Sequence, residues 1–375
     1  MKMKKNRVFV SAYSAVSALG LGVDETLANL QKGKQLFTSD RDSDFAYPCF
    51  AVNRFEKSDD LTKSSSICLF LLKDIEESFS RYNDIPLFMA TSTGGIRETE
   101  EVYNRLVDKT ISYPLFKRHF FNKTINDIKG RYTNFNDSFT FSTACSSSGH
   151  SVYQAYRMIQ AGLIERAVLI GYDTLSYTTM IGFDSLKLIS HTGTKPLTKS
   201  RDGLTLGDGG GVIFLEAEPK DEPLAEIIGV ASNSDGHHIS SPEPDGFSQK
   251  KCINDALKQA GLTPGDIKYI CAHGTGTLMN DEVEINALDA VFKGDVTVTS
   301  LKSFIGHTLG ASAIAESVIS TAMLKKGKVY QPDNFTESMN ERIIPLASVD
   351  MKTRYFLKNS FGFGGNNVSA LFEVF

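Results

Sequence analysis

Hydrophobic and polar positions along the chain follow two different spacings. Apolar runs of strand length and strand composition occur at VFVSA, PLFMATSTGG, ERAVLIGYDT, GGVIFLEA, YICAHGTGT, DVTVTS and SALFEVF. Between most of them, apolar residues recur at the spacing of helices, over residues 23–32, 64–81, 151–162, 247–261, 281–293 and 309–327. Strands and helices that alternate in this way predict an α/β fold.

Two segments share the same order of features. FSTACSSSGHSVYQAYRMIQAG and VTSLKSFIGHTLGASAIAESVISTAMLKKG each run from a strand, through a turn of small residues with a Gly-His pair, into a helix. FMATSTGG and ICAHGTGT correspond in the same way, and a polar stretch, EPKDEP, separates the two series. We therefore expect a duplicated unit, with one half over residues 1–222 and the second over residues 223–375.

Composition narrows the class of protein. The formal net charge of −4 and the pI near 6.0 give no reason to expect a nucleic-acid partner. The five cysteines are scattered and form no CxxC pair, which favours reduced thiols in a cytoplasmic protein.

The first residues, MKMKKNRVFVSAYSAVSALG, are similar to a signal peptide, but polar residues interrupt the apolar run and favour a buried first strand. No run approaches the ~18 apolar residues that a membrane span needs.

Cys145 lies in FSTACSSSGH, where a strand pattern gives way to a helical one. A side chain at such a turn projects towards free backbone N–H groups at the start of the helix, whose dipole favours the thiolate. A free cysteine is more often a small buried hydrophobe. Cys49, Cys68 and Cys252 are interpreted in that way because they lack this setting, whereas we expect Cys145 to be a nucleophile.

Two histidines lie in matching glycine-rich turns. His273 follows a strand in CAHGTGT, and His307 precedes a helix in FIGHTLG. A lone histidine in a loop is most often a surface or satisfied core residue, but two in equivalent turns, with Cys145 in a third, indicate one shared site. Neutral imidazoles there could donate N–H groups to a developing oxyanion or move protons. The histidines of SDGHHIS lack cysteine or carboxylate partners at a known spacing, so no metal site is expected.

A third glycine-rich element, NSFGFGGNN, covers residues 359–367. It is not a phosphate-binding loop, because no Gly-Lys-Ser/Thr follows it. An aromatic residue between glycines, such as Phe363, can be a movable plug or a plain packing residue, and the pattern leaves both interpretations open.

Taken together, six motifs resemble the β-ketoacyl-acyl-carrier-protein synthases. In chain order they are STACSSS, KPLTKSRDGLTLGDGGGVIFLE, NSDGHHISSPEPDG, AHGTGTLMNDEVE, SLKSFIGHTLGASAIAES and NSFGFGGNN, and they span residues 142–367. Within the family, the short length and the motifs ATSTGG, STACSSS, LMNDEVE and FGGNN are most similar to ketosynthases of aryl polyene clusters. The resemblance implies a thiolase-like fold, in which the duplicated units form a five-layered αβαβα arrangement.

The resemblance also implies a reaction, a decarboxylative Claisen condensation. Cys145 would take an acyl chain, polyenoyl or aryl-polyenoyl by the subfamily resemblance, from a carrier protein. His273 and His307 would stabilise the enolate formed from malonyl carrier protein, with Lys302 as electrostatic support. The backbone N–H groups of Cys145 and Phe363 would form the oxyanion hole, and the product would be a β-ketoacyl carrier protein.

Further residues take supporting roles by the same resemblance. Glu316 is the expected partner of Lys302, and Asp281 and Glu284 form an acidic pair behind the site. The acyl pocket and the pantetheine channel take the matching positions Phe183, His238, Thr275, Thr277 and the gate residue Phe363. No cofactor is expected, because the 4′-phosphopantetheine arm arrives on the carrier protein.

The resemblance implies an acyl carrier protein and a dimer as partners. We expect a homodimer or a heterodimer with a related ketosynthase or chain-length-factor subunit, and we favour the heterodimer. One position departs from the family. Cys271 replaces an asparagine that helps to hold a structural cation in some members, so the resemblance is not extended to that ion.

Three other classes of protein are alternatives to this interpretation. A non-catalytic chain-length factor usually lacks the cysteine, so Cys145 together with His273, Lys302 and His307 favours an active enzyme. A thiolase carries a second catalytic cysteine near its C-terminus, where this sequence has NSFGFGGNN. A starter-type condensing enzyme has histidine and asparagine as partners of its cysteine, in place of two histidines.

Overall fold

In the computed structural model, which describes residues 5–38, 47–55, 60–107 and 117–375, strands and helices alternate as the sequence predicts. The strands are β1 (Phe9–Ser17), β2 (Gly20–Leu21), β3 (Ile85–Ala90), β4 (Phe135–Phe141), β5 (Arg166–Asp173), β6 (Gly209–Glu216), β7 (Ala225–Ser234), β8 (Tyr269–Cys271), β9 (Thr297–Thr299), β10 (Lys328–Val329), β11 (Val349–Asp350), β12 (Tyr355–Gly362) and β13 (Asn366–Val374). The helices are α1 (Val23–Leu30), α2 (Lys63–Asp74), α3 (Glu76–Phe79), α4 (Ile96–Val107), α5 (Asn122–Arg131), α6 (Ser147–Gln160), α7 (Tyr177–Ser185), α8 (Phe247–Ala260), α9 (Leu278–Phe292), α10 (Lys302–Ile305) and α11 (Ser312–Lys325). Short 3₁₀ segments lie at Lys117–His119, Pro264–Asp266, Leu309–Ala311 and Phe363–Gly365.

The order of strands repeats in the two halves of the chain. The main path runs β4-β3-β5-β6-β1-β7-β13-β12-β8-β9, with β2 paired to β1. β10 and β11 form a separate two-stranded sheet. When β2, β10 and β11 are left aside, each half has the order third, second, fourth, fifth, first from its outer edge inwards. β1 and β7 join the halves through the pairs Phe9↔Glu226 and Val10↔Ala225. The predicted division at 222/223 lies in the connection between β6 and β7, and as a domain boundary it stays a prediction.

Helices α6 and α11 lie between the two half-sheets. Every residue of α11 from Ser312 to Leu324 is buried, because the helix packs against β1 and β6 on one side and against β12 on the other. Helix α6 likewise contacts β3 and β5 of the first half and β7 and β13 of the second. A helix that is buried all round belongs to the centre of a large protein.

The strands bury both faces, and alternate residues belong to different clusters. In β5, Leu169 packs in the cluster that contains α11, whereas Ile170 packs with the residues of α2. In the second half, Phe356 belongs to the central cluster and its neighbour Leu357 packs with α8. Helices therefore cover the outer face of each half-sheet, and the five-layered αβαβα arrangement expected from the resemblance is confirmed.

Helix boundaries differ from the sequence expectation in instructive places. Helix α6 begins at Ser147, one turn before the apolar periodicity starts, because serine side chains bind the preceding turn. The predicted helix over 64–81 is interrupted at Ile75, where φ is −112° and ψ is 9°.

Among the helices that the structure describes, none combines the length and the apolar composition that a bilayer-spanning segment needs.

Candidate active site

Cys145, His273 and His307 line one cavity of about 330 Å³. Cys145 comes from the first half of the chain and the two histidines from the second, so the cavity lies between the duplicated units. The lining also includes residues near Phe183, in 202–204, 240–242, 275–280 and 361–367. Of the five cysteines, all of which lie in the described part of the chain, Cys145 alone lines the cavity.

The turn before Cys145 is held in a strained conformation. Ala144 has a φ of 51°, in the left-handed region of backbone angles that residues other than glycine, asparagine and aspartate rarely adopt. Its carbonyl oxygen accepts hydrogen bonds from Ser92 Oγ at 2.8 Å and from Ser147 Oγ at 2.6 Å. Ser147 Oγ also accepts the backbone N–H of Thr143 at 2.9 Å. The small polar residues of STACSSS thus fix the turn that presents the sulfur.

Burial controls the protonation of Cys145. It raises the pKa of the thiol to about 11, while Lys302 and the backbone N–H groups of Phe363 and Cys145 oppose the rise. The helix terminus and the cation favour the thiolate, as the sequence predicts, but desolvation of the charged form is the larger effect. The N–H groups of Cys145 and Phe363 do meet at the sulfur, where an oxyanion hole would be needed.

His307 has a defined tautomer. The backbone N–H of Leu309 donates to His307 Nδ1 at 3.2 Å, and Ser312 Oγ lies 3.3 Å from the same nitrogen. Because Nδ1 accepts, we assign the ring proton to Nε2. Burial, with help from the charges of Lys302 and Lys358, holds the pKa of His307 well below its ordinary value. The ring is therefore a neutral N–H donor at the cavity.

His273 lies next to His307, with 5.5 Å between the ring centroids and an interplanar angle of 84°. Its Nδ1 is buried and has no hydrogen-bond partner among the described residues. Burial holds the pKa of His273 well below its ordinary value, and Lys302 and His307 lower it further. Both imidazoles are therefore uncharged near neutral pH.

Two buried carboxylates shape the loop that carries His273. Glu284 accepts the backbone N–H groups of His273 and Gly274, each at 2.8 Å. Asp281 accepts the N–H of Thr275 at 2.9 Å. The acidic pair predicted from the AHGTGTLMNDEVE motif thus binds the backbone of the loop. Thr275 lines the cavity, as does Thr277, and their hydroxyl groups lie 2.8 Å apart.

A buried ion cluster lies behind the histidines. Lys302 Nζ is 2.7 Å from Glu316 Oε1, and both side chains are fully buried. Lys358 Nζ is 2.7 Å from the other oxygen of the same carboxylate. Lys302 and Glu316 pair as predicted, but they are absent from the residues that line the cavity, so they act on the site through their charge and their packing.

Phe363 and Phe183 meet at one end of the cavity, with ring centroids 5.7 Å apart. Phe363 is followed by Gly364 and Gly365, which have φ angles of 76° and 72°. These left-handed conformations favour glycine. The predicted gate and acyl-pocket residues are thus brought together, whereas His238 is exposed and lies outside the lining residues, although Ser240, two positions later, is among them.

Sequence reasoning missed two buried charged residues near the site. Asp173 ends β5 and accepts the N–H groups of Ser92 and Gly310, at 2.9 and 2.6 Å. Because the Ser92 hydroxyl donates to the carbonyl oxygen of Ala144, Asp173 connects the segment after His307 with the Cys145 turn through Ser92. Lys358 lies within β12, among the residues YFLKNSFG. The signal in both cases is a charged residue inside an otherwise apolar or small-residue strand pattern.

Within the described residues, no group of three His, Cys, Asp or Glu side chains is arranged to hold a metal ion.

The duplicated αβαβα architecture is that of the thiolase-like fold, and comparison with family models is more specific. Residues 85–221 match the model of the beta-ketoacyl synthase N-terminal domain, and residues 224–336 match that of the C-terminal domain. The chain belongs to the beta-ketoacyl synthase family.

The individual relatives are named as 3-oxoacyl-[acyl-carrier-protein] synthases. The chain is 31% identical over 255 residues to 3-oxoacyl-[acyl-carrier-protein] synthase I, chloroplastic, of Arabidopsis thaliana, and the matched region covers 64% of this chain and 54% of the relative. It is 29% identical over 250 residues to 3-oxoacyl-[acyl-carrier-protein] synthase 2 of Staphylococcus aureus, covering 62% and 60% respectively. The chain thus spans somewhat more than half of the length of the curated relatives it matches.

Solved structures cover more of the chain. The ketosynthase ApeO in complex with its chain length factor ApeC from Xenorhabdus doucetiae is similar over 99% of this chain and 98% of that chain, with 29% identity and a TM-score of 0.86. The ishigamide ketosynthase/chain length factor has a TM-score of 0.89 at 22% identity, a likeness that shows the fold alone.

Alkylation should distinguish Cys145 from the other cysteines. We expect iodoacetamide to modify Cys145 first, because it lines the cavity, and the rate to rise steadily with pH towards about 11, because the thiolate is the reactive form. Peptide mass spectrometry at a series of pH values measures both. Cys145→Ala is the control, and a rate that levels off below pH ~8 would contradict the raised pKa.

Proposed function

We propose that this chain is a β-ketoacyl-[acyl-carrier-protein] synthase, which condenses an acyl chain with malonyl carrier protein. The observation that carries the proposal is the meeting of Cys145 with two neutral histidines on one cavity. A nucleophile and a pair of uncharged N–H donors are the groups that acyl transfer and enolate stabilisation need.

In the first half-reaction, the Cys145 sulfur attacks the thioester carbonyl of an acyl carrier protein. A new C–S bond forms, the bond to the pantetheine sulfur breaks, and the proton of Cys145 leaves with the pantetheine thiol. The carbonyl oxygen becomes an oxyanion in between. The backbone N–H groups of Cys145 and Phe363, both of which reach the sulfur, would stabilise it.

In the second half-reaction, malonyl carrier protein loses carbon dioxide as its C–C bond breaks. The electron pair gives an enolate, whose oxygen accepts hydrogen bonds from His273 and His307. Neutral donors suit this role, because they stabilise the enolate without delivering a full proton that would quench it. The enolate carbon then attacks the carbonyl carbon of the acyl-cysteine, and the C–S bond to Cys145 breaks. Cys145 leaves as a thiolate that takes up a proton from water, and the β-ketoacyl product, two carbons longer, stays on the carrier protein.

We extend the proposal to the acyl chain, the pantetheine arm and the location. The likeness to the ApeO ketosynthase, with the motifs of aryl polyene ketosynthases, supports a polyenoyl or aryl-polyenoyl substrate. The arm, carried by the acyl carrier protein, would pass Thr275 and Thr277, and no further cofactor takes part. Five free cysteines support the cytoplasm as the location.

The alternative, a non-catalytic partner subunit, is less well supported. Such a subunit has no need of a cysteine in a strained turn or of two uncharged histidines beside it. Intact-mass measurement after mixing the chain with acyl carrier proteins separates the two. The proposal expects a stable acyl adduct on Cys145 and none on Cys145→Ala, and β-ketoacyl product once malonyl carrier protein is added. A chain that accepts no acyl group from any of a broad panel would point to the non-catalytic role.

The two histidines should contribute mainly to the second half-reaction. We expect His273→Ala and His307→Ala each to lower the rate of malonyl carrier protein decarboxylation by at least about a hundredfold, as happens when an oxyanion donor is lost. Acylation of Cys145 should fall much less, because the strained turn and the helix are intact. Release of carbon dioxide and acyl-enzyme mass are the two measurements. Decarboxylation at the wild-type rate in both variants would refute the assigned roles.

The edge strand β4 supports assembly into a dimer. In the described structure it pairs with β3 alone, and Phe139 on it is 38% exposed. An open edge of this kind is a template for pairing with another chain. We expect a two-fold or pseudo-two-fold dimer, more favourably with a related subunit, whose interface buries more than ~2,000 Å².

Light scattering on the chain alone and with a candidate partner tests this assembly. Phe139→Lys should weaken the dimer, because it places a desolvated charge at the edge. The exposed Leu163, on the loop after α6, offers a control of similar size in Leu163→Lys. A fully active monomer at micromolar concentration would contradict the dimer, and a fully active homodimer would contradict the preference for a heterodimer.

A further inference from the structure

Lys358 is a buried lysine to which the mechanism above assigns no role. It lies in the interior strand β12 with 2% of its surface exposed. Strand pairing places it opposite Cys271 of β8, two residues before His273. Burying an ammonium group is costly unless the charge is paired and its N–H groups are bonded.

The ammonium of Lys358 has a complete set of acceptors. Nζ lies 2.7 Å from Glu316 Oε2, and it donates to the carbonyl oxygens of Asn359 at 2.6 Å and of Ala272 at 3.2 Å. An ammonium has three donors, and here each has one oxygen. Burial lowers the pKa of Lys358, but Glu316, Cys271 and Glu284 outweigh it and raise the pKa above its ordinary value, so the group stays charged.

The three acceptors belong to three different parts of the site. Ala272 directly precedes His273. Asn359 begins the segment that leads to Phe361 and Phe363, both at the cavity. Glu316, on the central helix α11, also holds Lys302. One charged atom therefore connects the histidine turn, the gate segment and the ion cluster.

We propose that the Lys358 ammonium is a built-in cation of the site, a positioning residue that fixes the backbone beside His273 and the start of the gate segment. Two carbonyl oxygens and a carboxylate oxygen form a shell that also suits a hard metal cation. Lys358 fills this shell from within the chain, so the enzyme has no need of an external ion there. The effect on catalysis rests on the function proposed above, whereas the filling of the shell does not.

The experiment empties the shell and refills it. Lys358→Ser removes the ammonium and leaves the oxygen atoms of Ala272, Asn359 and Glu316 around a small space. In choline chloride, whose cation is too large for that space, we expect kcat for malonyl decarboxylation to fall by about tenfold or more, since a small misplacement of a catalytic group has effects of this size. Ammonium or potassium chloride at equal ionic strength should restore most of the activity.

Three further proteins make the result specific. Lys358→Met fills the space with an uncharged chain and should stay slow in every salt. The wild type should be equally active in all of them, because its own ammonium occupies the shell. Lys123→Met removes a half-buried lysine paired with Asp127. Neither residue lines the cavity, so this variant controls for the loss of an ion pair elsewhere in the fold.

Thermal unfolding gives a readout that is independent of activity. Potassium or ammonium, compared with choline, should raise the Tm of Lys358→Ser by mass action, and should not do so for the wild type, Lys358→Met or Lys123→Met. If the enzyme decarboxylates nothing, the proposed function fails, and the Tm comparison still decides the role of Lys358.

Three results would overturn the inference. The first is a Lys358→Ser protein in which neither Tm nor kcat responds to the small cations. The second is full activity in Lys358→Met, which would show that the charge is dispensable. The third needs no variant: a wild-type enzyme that loses activity or stability when potassium is replaced by choline would show that an external ion is required.

Discussion

The site depends on one interaction, the binding of the Glu316 carboxylate between two lysine ammonium groups. It lies on α11, a helix buried along its length between the two half-sheets. A lone charge there would be prohibitively costly, and removing one partner of a buried pair typically destabilises a protein by about 3–5 kcal/mol. Lys302 and Lys358 each take one oxygen. Lys302 acts electrostatically on Cys145 and both histidines, and Lys358 acts on the two histidines.

Duplication explains why the reacting groups meet where they do. The two halves contribute equivalent central helices, α6 and α11, and the turns before them carry Cys145 and His307. The backbone N–H of Ala313, at the start of α11, donates to Ser148 Oγ of α6 at 3.1 Å. Asp173 adds a second connection. It accepts the N–H of Gly310, before α11, and that of Ser92, whose hydroxyl donates to the carbonyl oxygen of Ala144 in the turn before α6. A site assembled from two copies of one unit therefore has the proposed nucleophile on one copy and the proposed oxyanion donors, His273 and His307, on the other.

The sequence could predict features that depend on local chemistry. Cys145 and the two histidines were found because each lies where a strand period meets small or glycine residues. The direction of the Cys145 pKa could not be found in this way, since the local helix terminus favours the thiolate while burial, a property of the whole fold, outweighs it. The start of α6 was missed because Ser147 binds the turn before it and has no apolar period. Lys358 stood in the sequence as a charge within a strand, but its three acceptors come from segments distant in the chain.

In the proposed reaction, the positive charge of the lysines would serve both half-reactions, although the half-reactions use different groups. A nearby cation lowers the pKa of every group that it faces. For the Cys145 thiol, a lower pKa means more of the nucleophilic thiolate, which offsets part of the cost of burial. For His273 and His307, a lower pKa means that the rings stay neutral and donate N–H bonds without protonating the enolate. Lys302 acts on all three groups, whereas Lys358 acts on the two histidines. The first lysine would therefore serve both attack by sulfur and stabilisation of an enolate, and the second would serve the enolate step by keeping the histidines neutral.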